Sequence, residues 1–351
     1  MIKILKKLQV ILYCIRKINW IKFLKLYNTN ATNILWFYPF YREHLGTQSI
    51  EREFGVIYCF IKHNICFKIY FGREIGRFKN CNIFFFPTVL YNKHGFINYT
   101  NILAYISKQL EEQGNKVYPN SKECLYWENK VYMHNMFREL NIKQPETIII
   151  DKQFGRESKA PLEFPFLIKE PHSSSSMGLY KVDNNEIFIE LLFGEKQLLA
   201  KNNHLILQKI IDMRRDMRVT IVGDEICLNY WRINKGKEWK PTATGYGSEV
   251  DFISFPEKWR SHIIKECLKF KMNTLGADIT FENDDIESEP IFLEVSPFYQ
   301  PNPKTDIHKL GVPYGVYKKQ FRFFNSWDTK FVDIVFEIEE KIVLQHFNKK
   351  M

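Results

Sequence analysis

The sequence lacks the cysteine spacings of a disulfide framework or a zinc site. Its seven cysteines are odd in number and scattered, and no two of them form a C-x-x-C pair. Disulfide-rich secreted domains use even, regularly spaced cysteines, and structural zinc sites use closely spaced pairs. The sequence therefore predicts a protein of the reducing cytoplasm.

Acidic side chains are missing from the first 42 residues, which carry eight Lys and Arg residues. The apolar stretch LQVILYCI is far shorter than the roughly 20 apolar residues of a membrane-spanning helix. Arg16 and Lys17 interrupt the apolar region and no small-residue cleavage site follows, which argues against a secretory signal. We predict instead one basic helix over residues 2–27. Its apolar side comprises Ile4, Leu8, Ile11, Leu12 and Ile15.

Two interpretations of this basic helix stay open. It packs on the body of the protein, or it contacts a partner or the inner face of a membrane as a peripheral element. The whole chain has 50 Lys and Arg against 40 Asp and Glu, so its formal net charge is +10. This charge indicates an anionic partner. Nucleic acid is disfavoured, because the basic residues form no alternating stripe with aromatic ones.

Three common catalytic signatures are absent as well. The chain has no G-x-x-x-x-G-K-[ST], no H-E-x-x-H and no G-x-S-x-G. A P-loop ATPase, a zinc peptidase of the common type and an α/β-hydrolase are therefore not indicated.

The sequence does contain a regular alternation of strand and helix patterns. The runs NILWFY, ICFKIYF and CNIFFFP, with a helical stretch over residues 49–63, predict an α/β layer with a parallel sheet. The rest reads as an α+β block: a helix over 121–140, several strands ending in a β-meander, a helix over 257–275 and two further strands. A final helix carries Phe331, Ile334, Val335, Ile338, Ile342 and Val343 on one face.

The segment FPFLIKEPHSSSSMGLYKV has the residues of an anion-binding turn. It places Lys169 at a strand end, followed by a hydroxyl-rich turn that ends in Gly178. Small residues let backbone N–H groups approach phosphate oxygens, and an ammonium group neutralises their charge. A solvated serine turn explains the same letters when they are taken alone.

Two acids end the last predicted strands, Asp278 in GADIT and Glu294 in FLEVSP. Carboxylates on adjacent strand ends can hold Mg²⁺, which prefers oxygen ligands from one or two carboxylates plus substrate phosphates. Each acid taken singly is better explained as a surface charge.

The order and spacing of the motifs over residues 118–303 resemble those of the ATP-grasp ligases, especially the ribosomal-protein glutamate ligases and the D-alanine:D-alanine ligases. NKVYMHNMFRELNI resembles the family helix that begins with a phosphate-contacting lysine, here Lys130. KEPHSSSSMG resembles the lysine and mobile loop of the family, with Ser175, Ser176 and Gly178 in the loop. DMRVTIVGD resembles the family's Asp-x-Arg strand.

The resemblance implies roles for these residues. Lys130 and Lys169 would contact phosphates, and Arg232 would act with Lys169 in catalysis. The hinge QKII would meet adenine through Gln208, Lys209 and Ile211, although Lys209 stands where an acid is common. The remaining implied nucleotide contacts are Asp216, at the ribose hydroxyls, and Arg218. The implied metal ligands are Asp278, Glu294 and Ser296.

Ser296 departs from the family, which commonly has Asn at this position. A serine hydroxyl is shorter than an asparagine amide, so we expect Ser296 to hold metal less firmly than the two acids do. Asn302 is a minor candidate to supply the missing amide.

The implied fold is an ATP-grasp domain over residues 121–320, with two subdomains hinged near 208–211. It follows a basic helix (1–30) and a Rossmann-like pre-ATP-grasp α/β domain (31–120), and a C-terminal helix (321–351) ends the chain. The implied cofactors are ATP and two Mg²⁺ ions.

The implied activity is that of a ligase that activates a carboxylate as an acyl phosphate and joins it to an amine, releasing ADP and phosphate. The substrates would be small molecules such as an amino acid, a peptide or a sugar acid. The basic loop 235–248 indicates an acidic substrate if it lies at the acceptor end, and a solvated hairpin explains it equally well. Two alternatives are an ATP-grasp phosphotransferase and a non-catalytic basic adaptor for membrane or nucleic acid. Oligomeric state is left open.

Overall fold

A computed structural model describes residues 2–37, 50–87, 91–92, 95–96, 99–173, 177–236, 239–304, 312–320 and 326–347. Two structural units follow each other along this part of the chain. The first is an α/β layer, and the second contains two antiparallel sheets.

The α/β layer is built on a four-stranded parallel sheet of order β2-β1-β3-β6. Its strands are β1 (Asn33–Trp36), β2 (Lys68–Tyr70), β3 (Asn82–Phe84) and β6 (Lys116–Tyr118), and a small hairpin pairs β4 (Tyr91–Asn92) with β5 (Gly95–Phe96). The helices up to this point are α1 (Ile2–Lys17), α2 (Trp20–Leu26), α3 (Ile50–Lys62) and α4 (Thr100–Glu112). The predicted α/β layer with a parallel sheet is confirmed.

The first antiparallel sheet has the order β7-β10-β8-β9 and the second the order β13-β12-β11-β14-β15. Their strands are β7 (Thr147–Asp151), β8 (Phe166–Lys169), β9 (Leu179–Val182), β10 (His204–Lys209), β11 (Arg215–Val222), β12 (Glu225–Ile233), β13 (Glu249–Asp251), β14 (Thr274–Thr280) and β15 (Ile291–Ser296). The helices are α5 (Ser121–Tyr126), α6 (Lys130–Glu139), α7 (Asn185–Phe193), α8 (Leu198–Lys201), α9 (Arg260–Leu268), α10 (Tyr314–Lys319) and α11 (Trp327–His346). The chain passes from one sheet to the other through residues 210–214.

Three predicted helices differ from the structure. The helix predicted over 2–27 is two helices, because Asn19 caps α2 by accepting from the Lys22 N–H at 3.0 Å. The helix predicted over 121–140 is also two, because Glu128 takes a left-handed φ of 48° and Asn129 caps α6. The helix predicted over 257–275 ends at Leu268, since β14 already begins at Thr274.

The C-terminal helix α11 belongs to the α/β layer and lies against α3 and α1. Val10 and Cys14 of α1 pack with Val332 and Phe336 of α11 in one buried cluster. Apolar burial of this kind stabilises the layer by about 25 cal/mol per Å² removed from water. Among the described residues, no helix has both the length and the apolar character that crossing a bilayer requires.

Candidate nucleotide and metal site

Lys169 ends β8 and lies close to charges of both signs. The pKa of its ammonium group is lowered to about 8, mainly by burial and also by Lys130, although Glu294 and Asp278 oppose this change. These electrostatic contacts bring the two predicted phosphate-binding lysines and the two predicted metal-binding acids into one region. An ammonium group that is costly to bury and lacks a dedicated carboxylate partner is suited to an incoming anion.

Gly178 closes the turn that follows Lys169. Its carbonyl accepts from the Glu170 N–H at 2.8 Å, and its φ of 63° lies in the left-handed region. A Cβ at this position would come within 2.9 Å of Glu170 Cβ, so a larger residue would displace the turn. The predicted loop residues Ser175 and Ser176 lie outside the described residues.

Lys130 starts α6 and ties that helix to the same turn. Its backbone N–H donates to the Pro171 carbonyl at 3.0 Å, and its ammonium donates to the Ser173 carbonyl. His172 between them donates from Nδ1 to the Glu128 carbonyl at 2.9 Å. His172 therefore holds the loop against the residue that precedes α6, as expected of a loop histidine.

Glu128 and Glu294 are two acids near Lys130 and Lys169 whose carboxylates have no hydrogen bond or ion pair in the part of the chain that the structure describes. Burial raises the pKa of Glu128 to about 7, Lys130 opposes that rise and Glu294 adds to it. The sequence reading missed Glu128, although it stands only two residues before Lys130.

Asp278, the second predicted metal ligand, is held by two arginines. Arg218 Nη2 donates to Oδ2 at 2.7 Å and its Nε to Oδ1, while Arg232 Nη2 lies 2.8 Å from Oδ2. Burial opposes ionisation, but these two guanidinium groups hold the pKa of Asp278 well below its usual range. Arg232 is held in turn by Asp216, whose Oδ1 accepts from Nε at 2.8 Å.

The strand register explains why these charged side chains form a series of ion pairs. Asp216 lies opposite Arg232 on β12, Arg218 lies opposite Asp278 on β14, and Asp278 lies opposite Glu294 on β15. Side chains opposite each other in an antiparallel pair share one face of the sheet. Asp216 and Arg218 are two residues apart on β11 and share that face, so the paired charges and Glu294 lie in two neighbouring rows across four strands.

Asp216, the residue that the resemblance places at the ribose, is buried against an arginine in the structure. Only 2% of it is exposed and both of its oxygens accept from Arg232, so it orients that guanidinium and is not open to a ribose. Asp212, which the sequence reading did not select, lines the large cavity at the hinge.

Ser296 uses its hydroxyl within its own turn. Oγ donates to the Phe298 carbonyl at 2.7 Å and accepts from the Phe298 N–H at 3.2 Å. Asn302, the minor candidate for the missing amide, is buried and donates to the Tyr230 hydroxyl at 3.0 Å. The Ser296 hydroxyl is therefore already hydrogen-bonded, whereas Oδ1 of Asn302 is buried and has no hydrogen-bond partner among the described residues.

The donor set fits a magnesium ion held mainly by phosphate oxygens. Glu294 supplies a carboxylate that has no partner among the described residues, and Asp278 lies opposite it in the strand register. Within the described ranges, no three His, Cys, Asp or Glu residues group as a ready-made metal site. Mg²⁺ typically binds through one or two carboxylates and completes its shell with water and phosphate, so this sparse set is sufficient.

A cavity of about 1030 Å³ lies at the hinge between the two sheets. Lys209, Ile210 and Ile211 of the predicted hinge line one wall. Gln208 does not, because it is buried and its Nε2 donates to Thr147 Oγ1 at 2.9 Å across the strand pair. Volume and position suit a nucleoside, since ligand cavities span roughly 300–1,000 Å³.

The opposite wall of the cavity comes from residues that sequence reasoning largely missed. Glu146 precedes β7 and Lys181 lies on β9. The others precede β8 (Leu162, Glu163, Phe164 and Pro165) or follow β12 (Asn234, Gly236, Trp239 and Lys240). The loop 235–248 thus contributes its first half to the hinge cavity. Its second half, Thr244–Tyr246, contacts α10, and Lys237 lies outside the described residues.

Comparison with models of known protein families gives no match. In sequence, the chain is 27% identical over 192 residues to an α-aminoadipate–LysW ligase LysX from Saccharolobus solfataricus. The matched segment covers 54% of this chain and 69% of that protein. It is 28% identical over 73 residues to a D-alanine–D-alanine ligase from Wolbachia pipientis wMel, which covers 21% of this chain and 23% of the relative.

In structure, the chain matches a D-alanine–D-alanine ligase from Bacillus anthracis with a TM-score of 0.54 and 14% identity, over 91% of this chain and 99% of that one. It also matches a RimK-domain ATP-grasp protein from Sphaerobacter thermophilus with a TM-score of 0.51 and 12% identity, over 75% of this chain and 90% of the other. The structural matches show the fold, and the sequence matches are to enzymes named as ligases. The chain therefore has the fold of these ATP-grasp proteins and is similar in sequence to enzymes named as ligases.

Proposed function

We propose that the protein uses Mg-ATP to activate a carboxylate as an acyl phosphate and couples it to an amine, releasing ADP and phosphate. The observation that carries this proposal is the grouping of Lys130, Lys169, Glu294 and Asp278 by their electrostatic contacts. The large hinge cavity supplies room for a nucleoside in the same fold. Phosphoryl transfer needs positioned charge more than it needs a protein nucleophile, and this site offers charge.

In the first step, a carboxylate oxygen of the substrate attacks the γ-phosphorus and the bond from that phosphorus to the β–γ bridging oxygen breaks. ADP leaves with the bonding electrons. Lys169 and Lys130 offset the charge on the transferring group, and the main-chain turn ending at Gly178 positions it. Mg²⁺, held through Glu294 and Asp278 when bound, would supply further charge neutralisation of the phosphates.

In the second step, the amine attacks the acyl carbon and phosphate leaves with the former carboxylate oxygen, while the amine loses a proton. Arg218 lies in the cross-strand row that leads to Asp278 and Glu294. Arg232 lies in the neighbouring row, where Asp216 fixes its orientation. We propose that these preorganised guanidinium groups stabilise the oxyanion of the tetrahedral intermediate.

The substrates are proposed to be an amino acid or peptide with an acidic group. The relatives named above are ligases of α-aminoadipate with LysW and of D-alanine. The end of the site near Arg218 is basic, because Lys318 of α10 lies there. Burial lowers the pKa of Lys318 to about 8 and Arg218 contributes, although Asp328 opposes this. A sugar acid would satisfy the same chemistry.

ADP release measured across a matrix of carboxylates and amines tests the proposal. We expect ADP formation that requires Mg²⁺ and both substrates, in a 1:1 ratio to the new amide bond. AMP and pyrophosphate as stoichiometric products would falsify it. ADP with a stable phosphorylated product and no need for an amine would identify the phosphotransferase alternative, and absence of Mg-ATP binding would identify the non-catalytic adaptor.

A further inference from the structure

The first N-terminal helix carries two apolar faces, and only one of them is packed. Val10 and Cys14 lie in the cluster that α1 shares with α11. On the opposite side, Ile4, Leu8 and Leu12 are 63%, 50% and 55% exposed. Residues four apart stack on one face of a helix, so these three form a continuous stripe. Three of the five residues on the sequence-predicted apolar side of α1 therefore face outward, and a face that includes Val10 and Cys14 attaches the helix to the body.

The second helix repeats this arrangement. Phe23 packs inward, with its ring centroid 5.3 Å from that of Phe67. Trp20, Ile21 and Leu24 are 42%, 73% and 75% exposed. Single exposed apolar residues are ordinary on a protein surface, but a run of them over two consecutive helices marks an interaction surface.

The charges of this segment divide in the same way. On the packed side, Nζ of Lys6 lies 3.2 Å from Oδ2 of Asp328 on α11, and Lys17 forms an ion pair with Asp333. In the part of the chain that the structure describes, Lys7, Lys22 and Lys25 have no acidic partner. The first 42 residues supply no acid that could neutralise them. Unneutralised ammonium groups therefore accompany the exposed apolar side chains.

A small basic cavity next to α2 adds to this positive charge. It measures about 350 Å³, and its lining includes Tyr27 at the end of α2 together with Lys68 and Arg77. Neither cation has an acidic partner among the described residues. Arg77 stacks over the Tyr70 ring at 4.6 Å and Lys68 over the Phe78 ring at 5.4 Å, so both are held in place by aromatic contacts.

We propose that α1 and α2 dock on an anionic membrane surface, with Leu8, Leu12 and Leu24 at the headgroup–acyl boundary and the lysines at the headgroups. A helix with exposed apolar and basic side chains binds such an interface, and each lysine near an anionic bilayer adds to the attraction. A second copy of this chain would bring like charges together on the same surface, whereas anionic lipid complements both the apolar and the basic groups.

Flotation of the full chain with vesicles tests this assignment. Vesicles of phosphatidylcholine with 30% phosphatidylglycerol, roughly the order of anionic content that gives a substantial surface potential, are compared with phosphatidylcholine alone. We expect the partition coefficient to be at least about tenfold higher on the anionic vesicles and to fall as salt is raised. The double change Leu8→Glu with Leu12→Glu should lower it at least about tenfold.

Matched variants separate the apolar and charge contributions. Ile253 is 85% exposed and lies outside both helices, so Ile253→Glu should leave vesicle binding unchanged. Lys22→Gln with Lys25→Gln should reduce binding to anionic vesicles about tenfold and leave the weak binding to neutral vesicles unaltered. Leu24→Glu provides an independent apolar test on α2 if the α1 variant proves unstable by circular dichroism.

Three results would overturn the proposal. The first is absence of vesicle binding by the parent chain, and the second is equal binding by the parent and both the α1 and α2 variants. The third is a parent dimer, seen by light scattering, that Leu8→Glu with Leu12→Glu converts to a monomer without any vesicle binding by the parent. That last result would show that this surface joins two copies of the chain.

Discussion

Two groups of charged residues in this protein differ in how they are neutralised. In one, Asp216, Arg232, Asp278 and Arg218 form a continuous series of ion pairs across the second sheet. In the other, Glu294 and Glu128 have no partner on their carboxylates in the described part of the chain, and Lys169 has a lowered pKa. The first group neutralises itself, whereas the second retains charge that a ligand can neutralise.

This difference separates orientation from binding. Burying a charge costs several kcal/mol unless a partner offsets that cost, so the paired group fixes two guanidinium groups before any substrate arrives. The unpaired group keeps its desolvation cost in the free protein and recovers part of it when phosphate and metal bind. Substitutions in the two groups should therefore produce different kinds of loss.

The largest effect is expected from Glu294→Gln. Loss of the unpaired carboxylate should lower Mg²⁺-dependent ADP formation at least about a thousandfold, which corresponds to about 4 kcal/mol in the barrier. Steady-state ADP release over a Mg²⁺ titration is the measurement. Glu282, an exposed acid after β14, is the matched control, and Glu282→Gln should behave as the parent. Full activity of Glu294→Gln at ordinary Mg²⁺ would move the metal site to another strand.

Asp216→Asn should act mainly on stability. It leaves the buried Arg232 with only Asp278, and breaking a buried pair in this way costs about 3–5 kcal/mol in the free energy of unfolding. Urea denaturation measures this cost, with the exposed Asp224→Asn as control. Nucleotide affinity of the folded fraction should change little. If stability is unchanged and ATP binding is lost, Asp216 contacts the ribose as the sequence resemblance implied.

Lys169→Ala should weaken Mg-ATP binding without unfolding the protein. A charge-assisted hydrogen bond contributes about 1.5–3 kcal/mol, which corresponds to an increase of about 10- to 150-fold in Kd. Calorimetric titration with a non-hydrolysable ATP analogue measures it. Lys152, an exposed lysine of the same subdomain, provides the control Lys152→Ala. An unchanged Kd for Lys169→Ala would place the phosphates elsewhere.

The pH dependence of ATP binding should report the same lysine. The pKa of Lys169 is lowered to about 8, so the ammonium form dominates below that value and is lost above it. Because phosphates prefer the charged form, Kd should rise about tenfold between pH 7 and pH 9. Lys169→Arg keeps its charge over this range and should flatten the profile. A parent profile as flat as that of the variant would contradict a phosphate contact.

The smallest effect is expected from Ser296→Ala. The hydroxyl already bonds to the backbone of Phe298, so its loss should cost about 1 kcal/mol in unfolding free energy and change the apparent Mg²⁺ affinity less than about threefold. A loss of Mg²⁺-dependent ADP formation as large as that of Glu294→Gln would show that the hydroxyl binds the metal directly. The hydroxyl would then have to break its hydrogen bond to the Phe298 backbone.

Local sequence features selected Lys169 and Glu294, but they missed Glu128 and did not indicate how the paired charges contact one another. Lys169 and Glu294 stand at the ends of apolar strand patterns, and strand ends can be read from a single segment. The partner of Asp216 depends on register. The turn at Gly223 alone would place Trp231 opposite Asp216, but a bulge between Thr220 and Ile221 shifts the pairing by one residue and brings Arg232 there. A bulge of this kind has no clear sequence signal.

The orientation of helix faces and the positions of helix breaks were also not predictable from the local sequence. The apolar side of α1 follows from residue spacing, but its outward direction depends on α11, more than 300 residues away in the chain. The break before α6 depends on the left-handed backbone of Glu128, which a glutamate rarely adopts and which its sequence neighbours do not indicate. Long-range packing decided both features.

Transfer of an isotope label from the carboxylate tests the account most directly. Once the substrate screen has identified a productive pair, the carboxylate substrate is labelled with ¹⁸O and the products are followed by ³¹P NMR. An acyl phosphate intermediate predicts that one labelled oxygen appears in the released orthophosphate, with one ADP for each new amide bond. Label in AMP, or orthophosphate without label, would contradict the assignment of this site to acyl-phosphate ligation.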